Sequence, residues 1–265
     1  MRYEKHGAVV TGAASGIGQA IARAYLEEGA RVALVDVRPQ ALDDAVAALP
    51  APLAGRATPL VADVRDGASV SRVLDAAFAA VDPDILVNAA GVYPSHPFLE
   101  MREADWDAVL DTNLKGPYLV GQGFARRLVG AARPGNIVNV TSGAATRARP
   151  GAAHYTASKA ALNMLTQNMA LELAASAIRV NAVSPGLIEV HSEMSPLSDA
   201  YMTALVQGIP LGRVGRPEDV ARVVLFATSD EAAWMTGSVL SIDGGAGAGN
   251  VRIPLSGPNS RYFAT

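Results

Sequence analysis

Hydrophobic positions along the chain follow two rhythms. Short, nearly unbroken apolar runs rich in Val, Ile and Leu recur at AVVTG (8–12), RVALVD (31–36), TPLVAD (58–63), DILVNAAG (84–91), NIVNVTS (136–142), IRVNAVSPG (178–186) and VLSIDGG (239–245). Runs of this length bounded by Gly, Asp or Ser read as strands buried on both faces. Between them lie Ala-rich segments with helical spacing: in GQAIARAYLEEGA, residues Ile17, Ala20, Ile21, Ala24 and Tyr25 keep the helical period until Gly29 closes it. Strand and helix alternate without repeat or low-complexity linker. This predicts an α/β fold in one domain: a doubly wound parallel sheet of about seven strands, covered by helices on both faces.

Two segments depart from the rhythm. From Leu187 to about Gly215 the chain is irregular and rich in Pro, Ser and Met, the composition of a lid over a substrate site. A tail, residues 246–265 after the domain 1–245, carries Gly, Pro and Ser but also Ile253, Leu255, Tyr262 and Phe263, so it is read either as disordered or as a segment docking on a neighbouring subunit. The run ALNMLTQNMALELA (161–174) is apolar on most of its circumference, which suits a helix buried in a core or an interface.

Bulk properties narrow the function. At 265 residues, half of them hydrophobic, the chain fills one large domain, and a formal charge of −3 without long runs of either sign gives no electrostatic reason to expect nucleic acid or an anionic membrane as partner. The absence of cysteine excludes disulfides and thiolate chemistry, and the four histidines show no metal-ligand spacing, so no metal site is expected. No signal-peptide pattern and no spanning apolar run is visible, and the expected location is the cytoplasm.

The first strand ends in TGAASGIG, which puts Gly12, Gly16 and Gly18 in the turn that opens the first helix. Glycines let a backbone approach a pyrophosphate, and the helix N-terminus offers unsatisfied N–H groups with a favourable dipole. The pattern therefore predicts a Rossmann-type dinucleotide site, although a bare glycine triplet also makes an ordinary tight turn. Asp36 closes the second strand, where a carboxylate can take the adenosine ribose hydroxyls and repel a 2′-phosphate. This favours NAD over NADP, with Arg38 two residues later softening the choice. As a lone acid Asp36 also reads as a turn or cap residue. Asp63 and the Val64 backbone are candidates for the adenine, or Asp63 caps the next helix.

In HYTASKAAL, Tyr155 and Lys159 fall on one face of a helix, one turn apart. A free tyrosine has a pKa near 10, and an adjacent ammonium favours the phenolate, so the pair can give or take a proton near neutrality. Ser142 ends the fifth strand, the edge at which parallel sheets bind ligands, where its hydroxyl can hold a carbonyl or alkoxide oxygen. Singly, each residue has an ordinary role as core, surface charge or cap. Their occurrence in order favours chemistry.

These residues carry a resemblance. TGAASGIG, NAAG, DTNLKG, NVTSGA, YTASK and SPG, spread over about residues 5–245, resemble the short-chain dehydrogenase/reductase family in order and identity. The resemblance implies that Ser142, Tyr155 and Lys159 are catalytic, with Asn113 holding a water in a proton relay. It implies that Ser15 and Ile17 join the three glycines at the cofactor and that Asn88, Ala89 and Gly91 line it. Tyr155 and Lys159 reach its nicotinamide ribose, and Pro185, Gly186 and Ile188 hold the carboxamide. Where many relatives carry Thr, this chain has Val190, which leaves one side-chain hydrogen bond to be lost or supplied by Glu189, His191 or Ser192. Relatives are commonly tetramers.

By analogy with relatives, the resemblance implies that Val92, Tyr93, Pro94 and His96, the segment Ala144 to Arg149, His154, and the lid from Leu187 to Leu205 face the pocket. The histidines and Arg147 favour a small polar substrate such as a sugar, polyol or hydroxy acid, while Met194, Met202 and Leu205 equally suit an acyl chain. The segment LGRVGRPEDVARVVLFATSDEAAWMTGSVLSIDGG also resembles 3-oxoacyl-carrier-protein reductases. A non-catalytic NAD(H) sensor is a third reading, disfavoured by the intact acid/base group.

Overall fold

The computed structural model describes residues 1–189 and 205–249. Seven strands form one parallel sheet: β1 (Gly7–Thr11), β2 (Arg31–Asp36), β3 (Ala57–Val61), β4 (Ile85–Asn88), β5 (Gly135–Val140), β6 (Ile178–Pro185) and β7 (Val239–Ile242), in the order β3-β2-β1-β4-β5-β6-β7. All seven predicted strands are present. β2 has the predicted bounds, and the other six stop short of the predicted ends because the chain turns out of the sheet at its C-terminal edge, where Gly12, Ala89, Ser142, Gly186 and Asp243 stand in loops.

The helices are α1 (Gly16–Glu27), α2 (Pro39–Ala47), the single turn α3 (Ala51–Ala54), α4 (Gly67–Val81), α5 (Glu103–Leu110), α6 (Gly116–Gly130), α7 (Ala153–Leu173) and α8 (Pro217–Thr228). Successive strand residues face opposite layers. Ala8 and Val10 of β1, with Ile85 and Val87 of β4, pack in a core beneath α1 and α8, whereas Val9 and Leu86 join a second core with Leu74 of α4 and Phe124 and Leu128 of α6. Strands buried on both faces explain why their sequence reads as continuous rather than alternating apolar residues.

A π-helical turn, Asp111–Lys115, joins α5 to α6 and holds the fully buried Asn113. Helix α4 is capped by Asp66, whose carboxylate accepts from the N–H groups of Ala68 and Ser69, so Asp63 is not the cap. The two described ends of the segment read as a lid are laced together: Glu189 N–H donates to the Gly215 carbonyl at 2.8 Å and Gly215 N–H to that of Leu187 at 3.0 Å. Val190, His191, Ser192, Met194 and Met202 lie outside the described residues, as do the tail residues Ile253, Leu255, Tyr262 and Phe263. The tail's start belongs to the domain, because Gly247 N–H donates to Asp243 Oδ2 at 2.7 Å and Arg147 to the Ala246 carbonyl at 2.5 Å. No described helix is long and apolar enough to cross a membrane.

Candidate active site

β1 lies between β2 and β4, so the chain reverses its direction of winding there and a crevice opens beyond the ends of β1 and β4. Gly12 stands at that point with φ +67°, and a Cβ on it would come 2.7 Å from the Cα of Ala90. Gly18, in the first turn of α1, is closed against Gly12: a Cβ there would meet the Gly12 carbonyl oxygen at 2.2 Å. Gly16 and Ile17 begin α1 and Ser15 precedes it, so bare backbone faces the crevice at a helix N-terminus. This fits a pyrophosphate, which needs close N–H donors and no side chain in the way.

Asp36 is 7% exposed at the end of β2. Its carboxylate accepts from Ala14 N–H at 3.2 Å and from Arg38 N–H at 3.1 Å. The Arg38 guanidinium bonds the same carboxylate at 3.1 Å and reaches the Ser15 hydroxyl at 2.9 Å. Asp36 is thereby held at the crevice with Arg38 across it, acid and base in one place. Asp63 is gripped by Arg65 through three side-chain bonds of 2.7–3.1 Å, which hold its carboxyl below the usual range. Val64 is packed in the core against α6, leaving only its backbone for a ligand.

Asn88 ends β4 and is 3% exposed. Its side chain turns into the sheet, donating to Asn139 Oδ1 at 2.9 Å, and Asn139 in turn donates to the Thr166 hydroxyl of α7 at 2.9 Å. A buried amide must find partners, and these lie beneath the crevice, so Asn88 braces the site instead of lining it with its side chain. Ala89 and Ala90 are fixed by Thr11, whose hydroxyl accepts from their N–H groups at 3.1 and 3.2 Å. Pro185 ends β6, Gly186 is held by its N–H on the Ile242 carbonyl at 2.9 Å, and Ile188 pairs with Gly215.

Asn113 and Lys159 meet at Gly91, with Tyr155 beside Lys159 and Ser142 beside Tyr155. A Cβ on Gly91 would lie 3.3 Å from Asn113 Oδ1 and 3.7 Å from Lys159 Nζ. Asn113 is pinned by its amide to both backbone groups of Val92, each at 2.8 Å, and donates to Ser158 Oγ at 3.3 Å. Ser158, one residue before Lys159, ties the π-helical turn to α7; it was not singled out in the sequence, where it reads as an ordinary small helical residue. Lys159 Nζ donates to the Val140 carbonyl at 2.8 Å and stands 5.9 Å from the centre of the Tyr155 ring.

The electrostatics correct one expectation. In the chain alone burial raises the Tyr155 phenol above its ordinary pKa, against a hydrogen bond to Ser142 and the charge of Arg149, both of which lower it. Burial also brings Lys159 down to about 8, and its Nζ donates to the Val140 carbonyl. Tyr93 packs edge-on to Tyr155 at 6.3 Å, and the buried His154 accepts from Tyr155 N–H at 2.8 Å.

Sheet, glycine turn and Tyr–Lys helix together define an oxidoreductase of the nucleotide-dependent α/β class. A family model described as enoyl-(acyl carrier protein) reductase matches residues 12–247. The chain is 42% identical to a 3-oxoacyl-(acyl-carrier-protein) reductase of Thermotoga maritima over 92% of its length and 99% of that protein's. It is 39% identical to an L-tagatose-forming galactitol 2-dehydrogenase of Cereibacter sphaeroides, over 90% of this chain and 93% of that one. Among solved structures, a protein of Agrobacterium tumefaciens with bound NADP, provisionally described as a 2-deoxy-D-gluconate 3-dehydrogenase, superposes with a TM-score of 0.84 at 35% identity, covering 93% of this chain and 98% of that one. The chain belongs to the short-chain dehydrogenase/reductase family.

Proposed function

We propose that the protein oxidises a secondary alcohol, or reduces the matching ketone, on a small polar substrate such as a sugar, polyol or hydroxy acid, with NAD(H) preferred. The observation that carries this reading is the chain of neighbours from Asn113 and Lys159 at Gly91 through Tyr155 to Ser142, at the C-terminal edge of the sheet. The bound nicotinamide accepts or supplies the hydride. Gly12, Ser15, Gly16, Ile17 and Gly18 would hold its pyrophosphate, Asp36 the adenosine ribose, and the loop from Pro185 to Ile188 its carboxamide.

Tyr155 gives a proton to the substrate oxygen in reduction and takes it back in oxidation, while Ser142, already bonded to the phenol, orients that oxygen. Lys159 in its charged state places an ammonium one helical turn from the phenol, and Asn113 fixes the loop from Gly91 to Val92 against which the reacting groups meet. Burial raises the Tyr155 phenol, and the charge of Lys159, 5.9 Å from the ring, opposes that rise when the lysine is protonated.

Asp36 supports NAD, and Arg38 supplies the cation that a 2′-phosphate would need. The exposed apolar groove of Leu110, Leu114, Tyr118, Met164 and Leu165 between α6 and α7 supports association of copies into a tetramer. A cytoplasmic location is part of this reading. A second reading, reduction of 3-oxoacyl thioesters, is favoured by the 42% identical relative. The test is absorbance of reduced nicotinamide with NAD⁺ or NADP⁺ against sugars, polyols, hydroxy acids and hydroxyacyl thioesters. Turnover of one polar class with NAD⁺ supports the first reading, turnover of thioesters alone supports the second, and tight cofactor binding without any turnover supports a sensor.

A further inference from the structure

We propose that His154 is a positioning residue for the proton transfer: its neutral imidazole, by accepting from the backbone N–H of Tyr155, fixes the first turn of α7 and with it the phenol. This rests on the dehydrogenase reading above and adds a residue to its machinery. A helix leaves its first backbone N–H groups without intrahelical acceptors, and a Ser, Thr, Asp or Asn at the N-cap commonly supplies one. Helix α7 begins after Ala152, which has no side chain to do so, and the Thr156 N–H already bonds within the helix, to the Ala152 carbonyl at 2.8 Å. The Tyr155 N–H just before it goes to Nδ1 of His154 at 2.8 Å. The cap of the helix that carries the acid/base group is therefore a titratable ring within its own first turn.

The surroundings hold this ring in one protonation state. With Nδ1 accepting, the proton of a neutral imidazole sits on Nε2. His154 is fully buried, and Nε2 has no hydrogen-bond partner among the described residues. A second proton would enter at Nδ1, which would then face the Tyr155 N–H donor to donor. Burial and the neighbouring His96 both oppose that proton and hold His154 below the ordinary histidine value, against Asp105 of α5 and the Ala152 carbonyl, which favour the charged ring. Asp105 is itself engaged by Arg102 at 2.6 Å. The His96 ring stands edge-on to that of His154, centroids 5.7 Å apart, and its loop is fastened to the approach to α7 by the His96 N–H on the Gly151 carbonyl at 2.9 Å.

The test uses ketone reduction with NADH, because in that direction the protonated phenol is the active form and its own titration removes activity only on the alkaline side. Wild type, His154→Leu and His154→Asn are compared between about pH 5 and 8, with thermal melts to confirm folding and NADH affinity followed by fluorescence. The amide oxygen of Asn can accept where Nδ1 accepts, and it does not titrate. Because the chain has four histidines, isotopic labelling of histidine nitrogen reads the His154 tautomer by magnetic resonance without any turnover. The expected results are a proton on Nε2 near neutral pH and a kcat for His154→Leu lower by about 10- to 100-fold, the cost of misplacing a reacting group, with NADH affinity changed only a few-fold. His154→Asn should recover most of that loss and should lack the acid fall in kcat that wild type shows below the ordinary histidine range. A proton on Nδ1, a His154→Leu kcat equal to that of wild type, no recovery in His154→Asn, or an acid fall that persists in it overturns the inference while leaving the dehydrogenase reading intact. If His154→Leu does not fold, the acid limbs of wild type and His154→Asn decide. No reduction of any ketone by wild type overturns both.

Discussion

Replacing Lys159 by Met should stabilise the fold near neutral pH while abolishing turnover. Lys159 is 5% exposed, and burial lowers its pKa from 10.5 to about 8. At about 1.36 kcal/mol per pKa unit, holding its charge in the native state costs roughly 3 kcal/mol below pH 8. The folded pKa lies below the unfolded one, so between about pH 8 and 10.5 the unfolded chain binds more protons and stability rises with pH as the cost is relieved. Methionine keeps the length and packing of the side chain without charge, but it leaves the Val140 carbonyl unpartnered, a loss of about 1 kcal/mol. Lys159→Met should therefore be more stable than wild type by about 2 kcal/mol at pH 7, and the advantage should shrink by about 2 kcal/mol by pH 10. Urea unfolding of both proteins at pH 7, 8.5 and 10 measures this, and taking the difference cancels groups that titrate alike in both. A variant less stable than wild type at pH 7, or a difference that does not move with pH, would refute the reasoning.

Two further outcomes are expected. Asn139→Ala removes the link between Asn88 and Thr166 and strands the buried Asn88 amide, while the Thr166 hydroxyl keeps its bond to the Leu162 carbonyl, so urea unfolding should show a loss of roughly 1–3 kcal/mol, with cofactor affinity falling as the loop after β4 loosens. Asp36→Ala removes the carboxylate and frees Arg38, so the ratio of NAD⁺ to NADP⁺ kcat/KM should fall by about tenfold or more, the worth of a charged hydrogen bond; an unchanged ratio removes Asp36 from the cofactor site.

The sheet was legible because each strand is buried on both faces and so reads as an unbroken apolar run, and because Gly12 and Gly18 leave a pattern that only close backbone contact demands. Tyr155 and Lys159 were legible from their spacing on one helix. The bracing layer was not. Asn139 sits in a central strand, where Asn is disfavoured; that anomaly was a signal, but its partners Asn88 and Thr166 are 51 and 27 residues away, and no local rule joins them. Asn113 was reached only through resemblance, because the π-helical turn that buries it leaves no mark in hydrophobic period. Spacing places Lys159 near the phenol, but the burial that raises the phenol in the chain alone and the Val140 carbonyl that Lys159 meets are set by the tertiary fold.

The central claim is that Tyr155 moves the proton at the substrate oxygen. The most direct measurement is kcat for Tyr155→Phe beside wild type on whichever alcohol the panel identifies, with NAD⁺ affinity followed by fluorescence titration. The account predicts a fall in kcat of about 100-fold or more, the scale of general acid–base catalysis, with cofactor affinity changed only a few-fold. Turnover near that of wild type would contradict it.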